Sequence, residues 1–541
     1  MRQSFVIIAV MLFVAIGRAS AQEQQFKGLY GIDYEKKIIV TTGKLSDGLK
    51  PFKKTIKFSG ETYTYYRSEM PLITIITDGP IVNSPAVHGV INVADADGNV
   101  ITMHAGFKIR GTSSQQYDKK SYRVELWADE TGMEMADTTF LGMRSDDDWN
   151  LEAMWAQPLR LRDKVANQLW MEMYHLPYAE SEPEALPGIR MEYADVFINN
   201  EYLGVYALTE RVDRKQLGLR KYNGEIRGVL YKGNGPGAPT FESLPDYDNT
   251  QDTWDNYEWV YPNESDTAIN WNHLYSFTNF VMNASDNVFN AQYSAQFDKD
   301  NAIDYFLFIN ALKAMDNMGR NLFLARYKKS SAYLYIPWDL DAIWGLDTDG
   351  IQTNYSGGLM TNGFYDRLMS DCTENGFVAS AKTRYSALRN NILTTDHIME
   401  LVQNQYDELL ENGAYDREHE AWPSFIVNES QLTYLSDWLD ARFNYLDGEI
   451  NAGCGTWDVE EDAETPLVEV YPNPAKDRIN LRFAGMGEAV VNLYDMMGRL
   501  VYSNYCNTQF IAILTHDLPK GIYTLVVHVA EKQQFARVIV E

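Results

Sequence analysis

Cysteine is scarce in this sequence, and the few that occur exclude several kinds of protein. The chain of 541 residues contains 3 cysteines, Cys372, Cys454 and Cys506, and no two of them have the close spacing of a zinc or redox motif. One disulfide is possible, and the odd number leaves at least one thiol over. A disulfide framework therefore does not hold a protein of this size together.

Positive charge is also in short supply. The sequence has 47 Lys and Arg against 75 Asp and Glu, which gives a formal net charge of -28 at pH 7. Nucleic acids and anionic membranes select for clustered Lys and Arg, so neither is an expected partner. Excess carboxylate favours divalent cations or basic partners instead.

Long apolar runs are missing beyond the first residues, so no transmembrane span is expected. At the start, Arg2 precedes an apolar run from Phe5 to Ile16, and Ala19-Ser20-Ala21 supplies the small residues of a cleavage site. This pattern predicts a signal peptide, and a mature protein that is soluble outside the inner membrane.

The order of local patterns predicts an α+β protein with more than one domain. Short β-rich runs separated by turn residues extend from about Phe26 to Phe107, helical periodicity begins at Pro158, and the chain is mostly helical beyond 265. The predicted parts are a signal peptide at 1–21, a β-rich segment at 22–70, a main domain at 71–450, an acidic linker at 451–466 and a small β-sandwich at 467–541.

The predicted sandwich resembles the C-terminal sorting domain of the type IX secretion system of Bacteroidota. The matching elements occur in order: Tyr471-Pro472-Asn473-Pro474, then Tyr494-Asp495 with Gly498-Arg499, then Leu518-Pro519 with Gly521-Ile522-Tyr523. The resemblance implies recognition by that secretion machinery, passage through the periplasm, and a final location outside the cell or on its outer surface. An ordinary β-sandwich binding module is the alternative.

Two acidic segments of the main domain are candidates for chemistry. In "MDNMGRN", Asp316 and Asn321 have the five-residue interval that separates the catalytic Asp from the metal-binding Asn in protein kinases. The following residues read as two strands around a polar turn at 328–331, and this hairpin should return Asp339 and Asp341 of "WDLD" towards Asn321. The alternative is that these side chains cap turns.

A strand rich in cations precedes these acids and is a candidate for binding phosphate. In "DKKSYRVEL" a two-residue period beginning at Lys119 places Lys120 on the apolar face with Tyr122, Val124 and Leu126, and Lys119 on the other face. An inward-facing lysine needs an anionic partner, although a lysine at a strand start can also extend to solvent. Upstream, the turn that follows Arg110 is rich in hydrogen-bond donors.

Together these segments resemble the CotH kinase-like family, whose members are atypical protein kinases. The resemblance runs in order through "FKIRGTSSQQYDKKSYRVEL", "DWNLEAMWAQPLRLRDKVANQL", "VFINNEYLGVYALTERV", "LYKGNG", "MDNMGRNLFLARY" and "YIPWDLDAIWG". It implies a divergent two-lobed protein-kinase-like domain. It also implies that the γ-phosphoryl group of ATP is transferred to a protein hydroxyl in the presence of Mg²⁺ or Mn²⁺.

The resemblance also implies roles for individual residues. Asp316 is the expected catalytic acid and Lys120 the expected phosphate-binding lysine, while Asn321, Asp339 and Asp341 are the expected metal ligands. Glu210 is expected to pair with the lysine or to lie at the edge of the nucleotide. Arg110, Lys232 and Arg162 are further candidates for contact with the nucleotide.

Two other functions fit parts of the pattern. A surface-displayed, catalytically inactive kinase-like protein would bind or support other molecules and use the "WDLD" segment at 338–341, called the metal loop below, only for structure. A carbohydrate-active enzyme would use Asp316 and Asp339 as its pair of acids. The second alternative leaves Asn321 and the lysine strand without a role.

Overall fold

The computed structural model describes most of the chain in several stretches. They are residues 26, 28–46, 49–111, 113–263, 269–353, 356–452, 468–476, 478–483, 489–495, 499–506, 510–516, 518–529 and 532–540. The chain divides into two compact units, residues 1–458 and 459–541. The predicted signal peptide at 1–21 lies outside the described residues, as does the predicted linker from 453 onwards; residues 451 and 452 instead end the last helix.

The larger unit begins with strands and ends with helices. Its strands are β1 (Tyr30–Asp33), β2 (Ile38–Thr42), β3 (Phe52–Phe58), β4 (Glu61–Ser68), β5 (Leu72–Thr77), β6 (Val87–Ala94), β7 (Val100–Arg110), β8 (Ser121–Trp127), β9 (Thr138–Thr139), β10 (Ser145–Asp146), β11 (Asp148–Glu152), β12 (Met191–Ile198), β13 (Glu201–Thr209), β14 (Val229–Asn234), β15 (Thr253–Trp254), β16 (Tyr257–Tyr261), β17 (Arg320–Arg326) and β18 (Tyr333–Pro337). Its helices are α1 (Arg162–Met173), α2 (Asn272–Asn283), α3 (Asp286–Gln296), α4 (Lys299–Leu312), α5 (Gly363–Met369), α6 (Phe377–Leu388), α7 (Thr395–Glu411), α8 (Ala414–Ala421) and α9 (Ser430–Ala452). Short 3-10 helices cover Ser113–Gln116, Ala238–Thr240 and Met315–Met318.

Seven strands close into a barrel in the order β11-β13-β12-β5-β6-β7-β8. Neighbouring strands are antiparallel except β12 and β5. Alternate residues fill the interior, as the two-residue period of a strand requires; Val124 and Leu126 of β8, for example, are fully buried beside Ala105 and Phe107 of β7. The predicted β-rich start of the chain is thus confirmed, and it forms a closed scaffold.

A second sheet, in the order β15-β16-β14-β17-β18, packs against the helices. Helix α4 is buried along its whole length except at the first two residues, which explains why its sequence is apolar on all sides. The prediction of an α+β protein with strands first and helices later is confirmed. The strand-rich part forms a closed barrel, and this observation does not establish two kinase-like lobes. The two-lobed layout therefore stays a prediction.

The predicted β-rich segment before residue 71 forms a small sheet of its own, in the order β1-β2-β4-β3. Its buried residues Ile38, Val40 and Tyr66 share a core cluster with Leu72 and Phe197 of the barrel. The segment therefore covers one side of the barrel.

The smaller unit is a β-sandwich, as the sequence predicts. Its strands are β19 (Val468–Tyr471), β20 (Arg478–Phe483), β21 (Ala489–Asp495), β22 (Leu500–Cys506), β23 (Phe510–Leu514), β24 (Gly521–Val529) and β25 (Lys532–Val540). They form one sheet in the order β19-β20-β23 and another in the order β22-β21-β24-β25. Residues of both sheets, such as Ile479 and Leu525, meet in a single core.

Buried ion pairs connect helix α8 to the barrel and to the residues around it. Arg417 donates two hydrogen bonds of 2.8 Å to Asp195, and Glu418 lies 2.7 Å from the Lys119 ammonium and 3.1 Å from Nε of Arg160. The backbone N–H of Val205 adds a hydrogen bond of 2.8 Å to Glu418. Burial lowers the pKa of Lys119 to about 8, although Glu418 acts in the opposite direction. One carboxylate therefore compensates two buried cations.

Two expectations drawn from composition concern cysteines and membrane-spanning helices, and both can be compared with the described residues. Cys372 is disulfide-bonded and Cys506 is a buried thiol, in keeping with one bridge and a thiol left over. Within the described ranges, none of the helices has both the length and the apolar character needed to cross a bilayer.

Replacing Glu418 by Gln should destabilise the larger unit by about 3–5 kcal/mol, because Lys119 and Arg160 would then be buried without a counter-charge. Glu420→Gln on the same helix is the matched control: Glu420 forms an exposed ion pair with Lys53, which contributes about 0–1 kcal/mol. Chemical denaturation followed by tryptophan fluorescence measures both. Equal effects of the two substitutions would contradict the assigned role of Glu418.

Candidate active site

Asp316 lies on a turn that the buried helix α4 presents to solvent. The helix ends at Leu312, its C-cap residue Lys313 has a left-handed backbone conformation with φ 49°, and the 3-10 turn Met315–Met318 follows. The Asp316 side chain is 33% exposed, and its carboxylate lies 3.7 Å from Arg320. The turn follows the buried helix α4, and the partial exposure of the carboxylate leaves it accessible to another molecule.

Asn317 ties this turn to the segment that carries Asp339. Its buried side-chain amide donates hydrogen bonds to the backbone oxygens of Asn321, at 2.7 Å, and Trp338, at 2.8 Å. Its own carbonyl accepts a hydrogen bond from the hydroxyl of Tyr305 on α4. No role for Asn317 is predictable from the sequence, because nothing in "MDNMGRN" distinguishes an amide that bridges two segments from one that faces solvent.

The predicted hairpin after Asn321 is confirmed. Strands β17 and β18 pair from Leu322 with Pro337 to Arg326 with Tyr333, and the backbone N–H of Trp338 donates to the carbonyl of Asn321 at 3.0 Å. Asn321 and Asp339 have positive φ values of 52° and 56°. Such conformations are unfavourable for residues other than glycine and are concentrated at functional sites. The hairpin thus brings the predicted metal ligands Asn321 and Asp339 to adjacent positions.

Four carboxylates influence one another at this place. Burial raises the pKa of Asp341 well above its usual range, and the charges of Asp339, Asp163 and Asp316 raise it further. Burial likewise raises the pKa of Asp163 to about 7, and the charge of Asp339 adds to this effect. Carboxyl groups whose neighbours are also acidic retain protons unless a cation compensates them.

Asp163 is a member of the site that the sequence analysis missed. It lies in the first turn of α1, where an acid is ordinary in a helix, so its sequence context carries no signal. In the fold, Gln157 donates a hydrogen bond of 2.9 Å to its carboxylate, and the backbone N–H of Leu340 donates another. Only the packing of α1 against the metal loop places it there.

The donor set suits a hard divalent cation. Mg²⁺ and Mn²⁺ take oxygen ligands, and Mg²⁺ is usually held by one or two carboxylates together with water and phosphate oxygens. Asp339 and the amide of Asn321 can supply protein ligands, with Asp341 and Asp163 beside them. Among the described residues, three carboxylates come within reach of a single ion only at Asp137, Asp146 and Asp147, and there the Lys215 ammonium lies 2.5–2.9 Å from all three.

Arg110 is the cation that the fold brings to the metal loop. It ends strand β7, forms an ion pair with Glu152, and its guanidinium lies 5.7 Å from the ring centre of Trp338. Burial lowers the pKa of Arg110, while the charge of Asp339 opposes this shift. The site therefore contains a guanidinium group close to Asp339.

The prediction that Lys120 faces inward is wrong. Strand β8 begins at Ser121, so the two-residue period does not extend to the lysines. Lys119 is the buried one, while Lys120 is partly exposed and its ammonium donates hydrogen bonds to the carbonyls of Gln115 and Tyr117. Lys120 thus orders the loop after Arg110, and the hydroxyl of Tyr117 in that loop contacts Asp349 at 3.2 Å.

The other predicted site residues have different surroundings. Glu210 is buried and accepts hydrogen bonds from Arg190 and from the backbone N–H of Arg144, so the expected pairing with the lysine is wrong. Arg162 donates to the carbonyls of Ile343 and Trp344, each at 3.1 Å, and supports the loop after Asp341. Lys232 lies on β14 opposite Phe323 of β17.

Comparison with known proteins identifies two regions. Residues 107–446 match the family described as CotH kinase protein, and residues 469–541 match the secretion system C-terminal sorting domain. Inner spore coat protein H of Bacillus subtilis (strain 168) is 23% identical over 343 residues, which cover 61% of this chain and 86% of that protein.

Two solved structures match shorter parts of the chain. PorZ, a surface component of the type IX secretion system of Porphyromonas gingivalis, is 23% identical with a TM-score of 0.14, over 16% of this chain and 13% of that chain. A Bacteroides vulgatus protein with an immunoglobulin-like β-sandwich fold is 20% identical with a TM-score of 0.14, over 16% of this chain and 93% of that chain.

The raised pKa of Asp163 predicts a stability that depends on pH. Because the folded-state pKa of about 7 exceeds the ordinary value of 3.8, the stabilising contribution is complete below about pH 4 and is lost as the pH rises through 7. In the presence of a chelator, the free energy of unfolding should therefore fall between pH 5 and 8 by about 1 to 3 kcal/mol relative to Asp163→Asn.

Addition of Mn²⁺ at pH 8 should restore this stability in the wild type, because the cation replaces the proton, and should restore less in Asp163→Asn. Thermal denaturation with and without Mn²⁺ at the two pH values measures the effect. A wild type and a variant with identical pH profiles would show that Asp163 does not share its charge with the metal loop.

Proposed function

The chain belongs to the CotH kinase protein family, and we propose that it is an atypical protein kinase that transfers the γ-phosphoryl group of ATP to a protein hydroxyl with Mg²⁺ or Mn²⁺. One observation carries the proposal: Asn317 and the β17–β18 hairpin hold the Asp316 turn against the segment of Asp339 and Asp341. An acid beside a metal-binding amide and carboxylate is the arrangement that phosphoryl transfer requires.

Asp316 is assigned to the acceptor hydroxyl. Its carboxylate is accessible, and a carboxylate in this position orients the hydroxyl group and accepts its proton as the bond to phosphorus forms. Arg320 lies 3.7 Å from the Asp316 carboxylate and is the cation next to it on the same turn. Nothing in this role requires Asp316 to bind the metal ion.

The cation is assigned to Asn321 and Asp339, with Asp341 and Asp163 adjusting the charge around it. When bound, the cation supplies charge neutralisation for the phosphate oxygens. The protein residues hold it beside the Asp316 turn, because Trp338, which directly precedes Asp339, is hydrogen-bonded to both Asn317 and Asn321.

Arg110 is assigned to the phosphate groups, in place of Lys120. Its guanidinium is paired with Glu152 but lies beside Trp338 and close enough to Asp339 to interact with its charge, whereas the ammonium of Lys120 is bonded to two loop carbonyls. Lys120 acts on the site indirectly, by ordering the loop that follows Arg110. Lys232 remains a candidate for contact with the nucleotide, on the sheet that carries Asn321.

The sorting domain at 469–541 implies interaction with the type IX secretion system, and hence secretion or a location on the outer surface. We propose that the protein substrate is reached there or in the periplasm. The alternative function is a surface-displayed kinase-like protein without turnover, which would bind a nucleotide or a partner through the same site.

Asp316→Ala should lower the rate of phosphoryl transfer by about 10²- to 10⁴-fold, the range expected for loss of a positioned acid or base. The assay incubates the purified chain with labelled ATP, Mg²⁺ or Mn²⁺ and generic acceptor proteins. Asp300→Asn, an exposed acid in the first turn of α4, is the matched control and should retain full activity.

Two other results would count against the proposal. Nucleotide binding by the wild type without any transfer would favour the inactive kinase-like protein. Transfer that survives Asp316→Ala unchanged would place the catalytic acid elsewhere.

A further inference from the structure

Basic residues are concentrated at one end of the second sheet, in a chain whose net charge is -28. Residues 211–227 and 326–329 contain nine Lys and Arg against two acids, Asp213 and Glu225. The two segments lie side by side, because the backbone N–H of Arg220 donates to the carbonyl of Tyr327 at 3.0 Å. We call these two segments the basic patch. Such local reversal of charge attracts an anionic partner that the rest of the surface repels.

The basic patch borders a pocket of about 500 Å³. Four of its lining residues are the cations Arg214, Lys215, Arg220 and Lys221, and apolar atoms of Pro183, Ala185 and Leu219 line it as well. The volume accommodates a few side chains and is too small for a folded domain. The mixed lining suits a ligand that has both anionic and apolar groups.

One wall of the pocket, formed by Glu182 and Arg220, is held in place by contacts with Tyr327. The ring of Tyr327 stacks on Tyr178 with 4.0 Å between centroids, and the hydroxyl of Tyr327 donates to Glu182 at 2.9 Å. The guanidinium of Arg220 lies 5.0 Å from the ring centre of Tyr327 and 3.3 Å from Glu182. This wall is therefore organised without a ligand.

The four cations differ in how far their charge is compensated. Lys215 contacts the carboxylates of three aspartates, and Arg220 contacts Glu182. Across the part of the chain that the structure describes, the side chains of Arg214 and Lys221 have no hydrogen-bond or ion-pair partner. Two cations at this pocket thus remain available to an anionic ligand.

We propose that the pocket docks an acidic peptide segment of the protein substrate, an inference that rests on the proposed kinase function. A concave pocket with apolar atoms selects a peptide over a duplex or a flat membrane, which would require an extended basic face. The acids Glu182 and Glu184 in the lining also disfavour a uniformly charged polyanion. A peptide with spaced carboxylates can place these groups at Arg214 and Lys221 while it keeps them away from Glu182 and Glu184.

The pocket and the Asp316 turn lie at opposite ends of the same pair of strands. Val229 of β14 pairs with Arg326 at the basic end, and Asn234 pairs with Arg320 beside the Asp316 turn. Six residues of strand at about 3.3 Å each separate the two ends by roughly 20 Å. An extended peptide of about six residues spans that distance. The docking segment therefore lies outside the immediate surroundings of the acceptor hydroxyl.

The test measures binding separately from turnover. A fluorescent peptide with six spaced Glu residues is titrated by anisotropy, without ATP or metal, against the full chain carrying Asp316→Ala. The double substitution Arg214→Glu with Lys221→Glu should weaken binding at least 10-fold. The control, Lys50→Glu with Lys54→Glu, introduces the same charge change at two exposed lysines, one on β3 of the small N-terminal sheet and one just before it, and should alter binding less than 2-fold.

Binding measurements with other ligands distinguish an acidic peptide from a nucleic acid or a membrane as the partner. The same peptide with Gln in place of Glu should not bind, and 300 mM salt should weaken binding of the Glu peptide. Duplex DNA or vesicles of anionic lipid binding as tightly as the peptide would overturn the proposal, as would a double variant that binds the peptide unchanged.

The outcome is distinguishable from failure of the kinase proposal. In active protein, the double substitution should raise the KM for a substrate with an acidic segment and leave kcat unchanged. Peptide binding that depends on Arg214 and Lys221, in a protein without phosphoryl transfer, would retain the docking pocket and reject the kinase. Phosphoryl transfer in a protein that does not bind the peptide would retain the kinase and reject the docking pocket.

Discussion

Buried charge must be compensated where it lies, and this constraint connects α8 to the candidate active site. Glu418 compensates Lys119 and Arg160, and Arg160 in turn donates hydrogen bonds to the carbonyls of Met154, Trp155 and Gln157. The side chain of Gln157 then accepts a hydrogen bond from the backbone N–H of Arg162 at the start of α1 and donates one to the carboxylate of Asp163. A continuous series of polar contacts thus determines where the acid of α1 meets the metal loop.

The same constraint is less well satisfied at the metal loop, and this supports the proposal that the loop binds a cation. Elsewhere in the larger unit, buried carboxylates such as Asp195 and Glu418 have cations within hydrogen-bond distance. At the loop, Asp163 and Asp341 have acidic neighbours and hold their protons more tightly than usual. In the proposed function, a divalent cation would compensate these carboxylates.

Some parts of the site were predictable because they depend on neighbours in sequence. The interval from Asp316 to Asn321, the polar turn after β17 and the return of Asp339 all involve residues within about 25 positions of one another, and hairpin pairing preserves such local order. The lysine strand was predicted less well. A two-residue period assigns faces only within a strand, and β8 starts at Ser121, so the period selected Lys120 where the fold buries Lys119.

The sequence by itself determined the order of strands and helices, the small C-terminal sandwich and the acids of the hairpin, since these follow from periodicity and from turn residues. Only the tertiary structure decided which distant groups join them. Asp163 lies more than 150 residues before Asp339, and Lys119 about 300 before Glu418, so no local pattern links them. Their meeting follows from the packing of α1 and α8 on the barrel and the metal loop, where burial forces charged groups to find partners regardless of their distance along the chain.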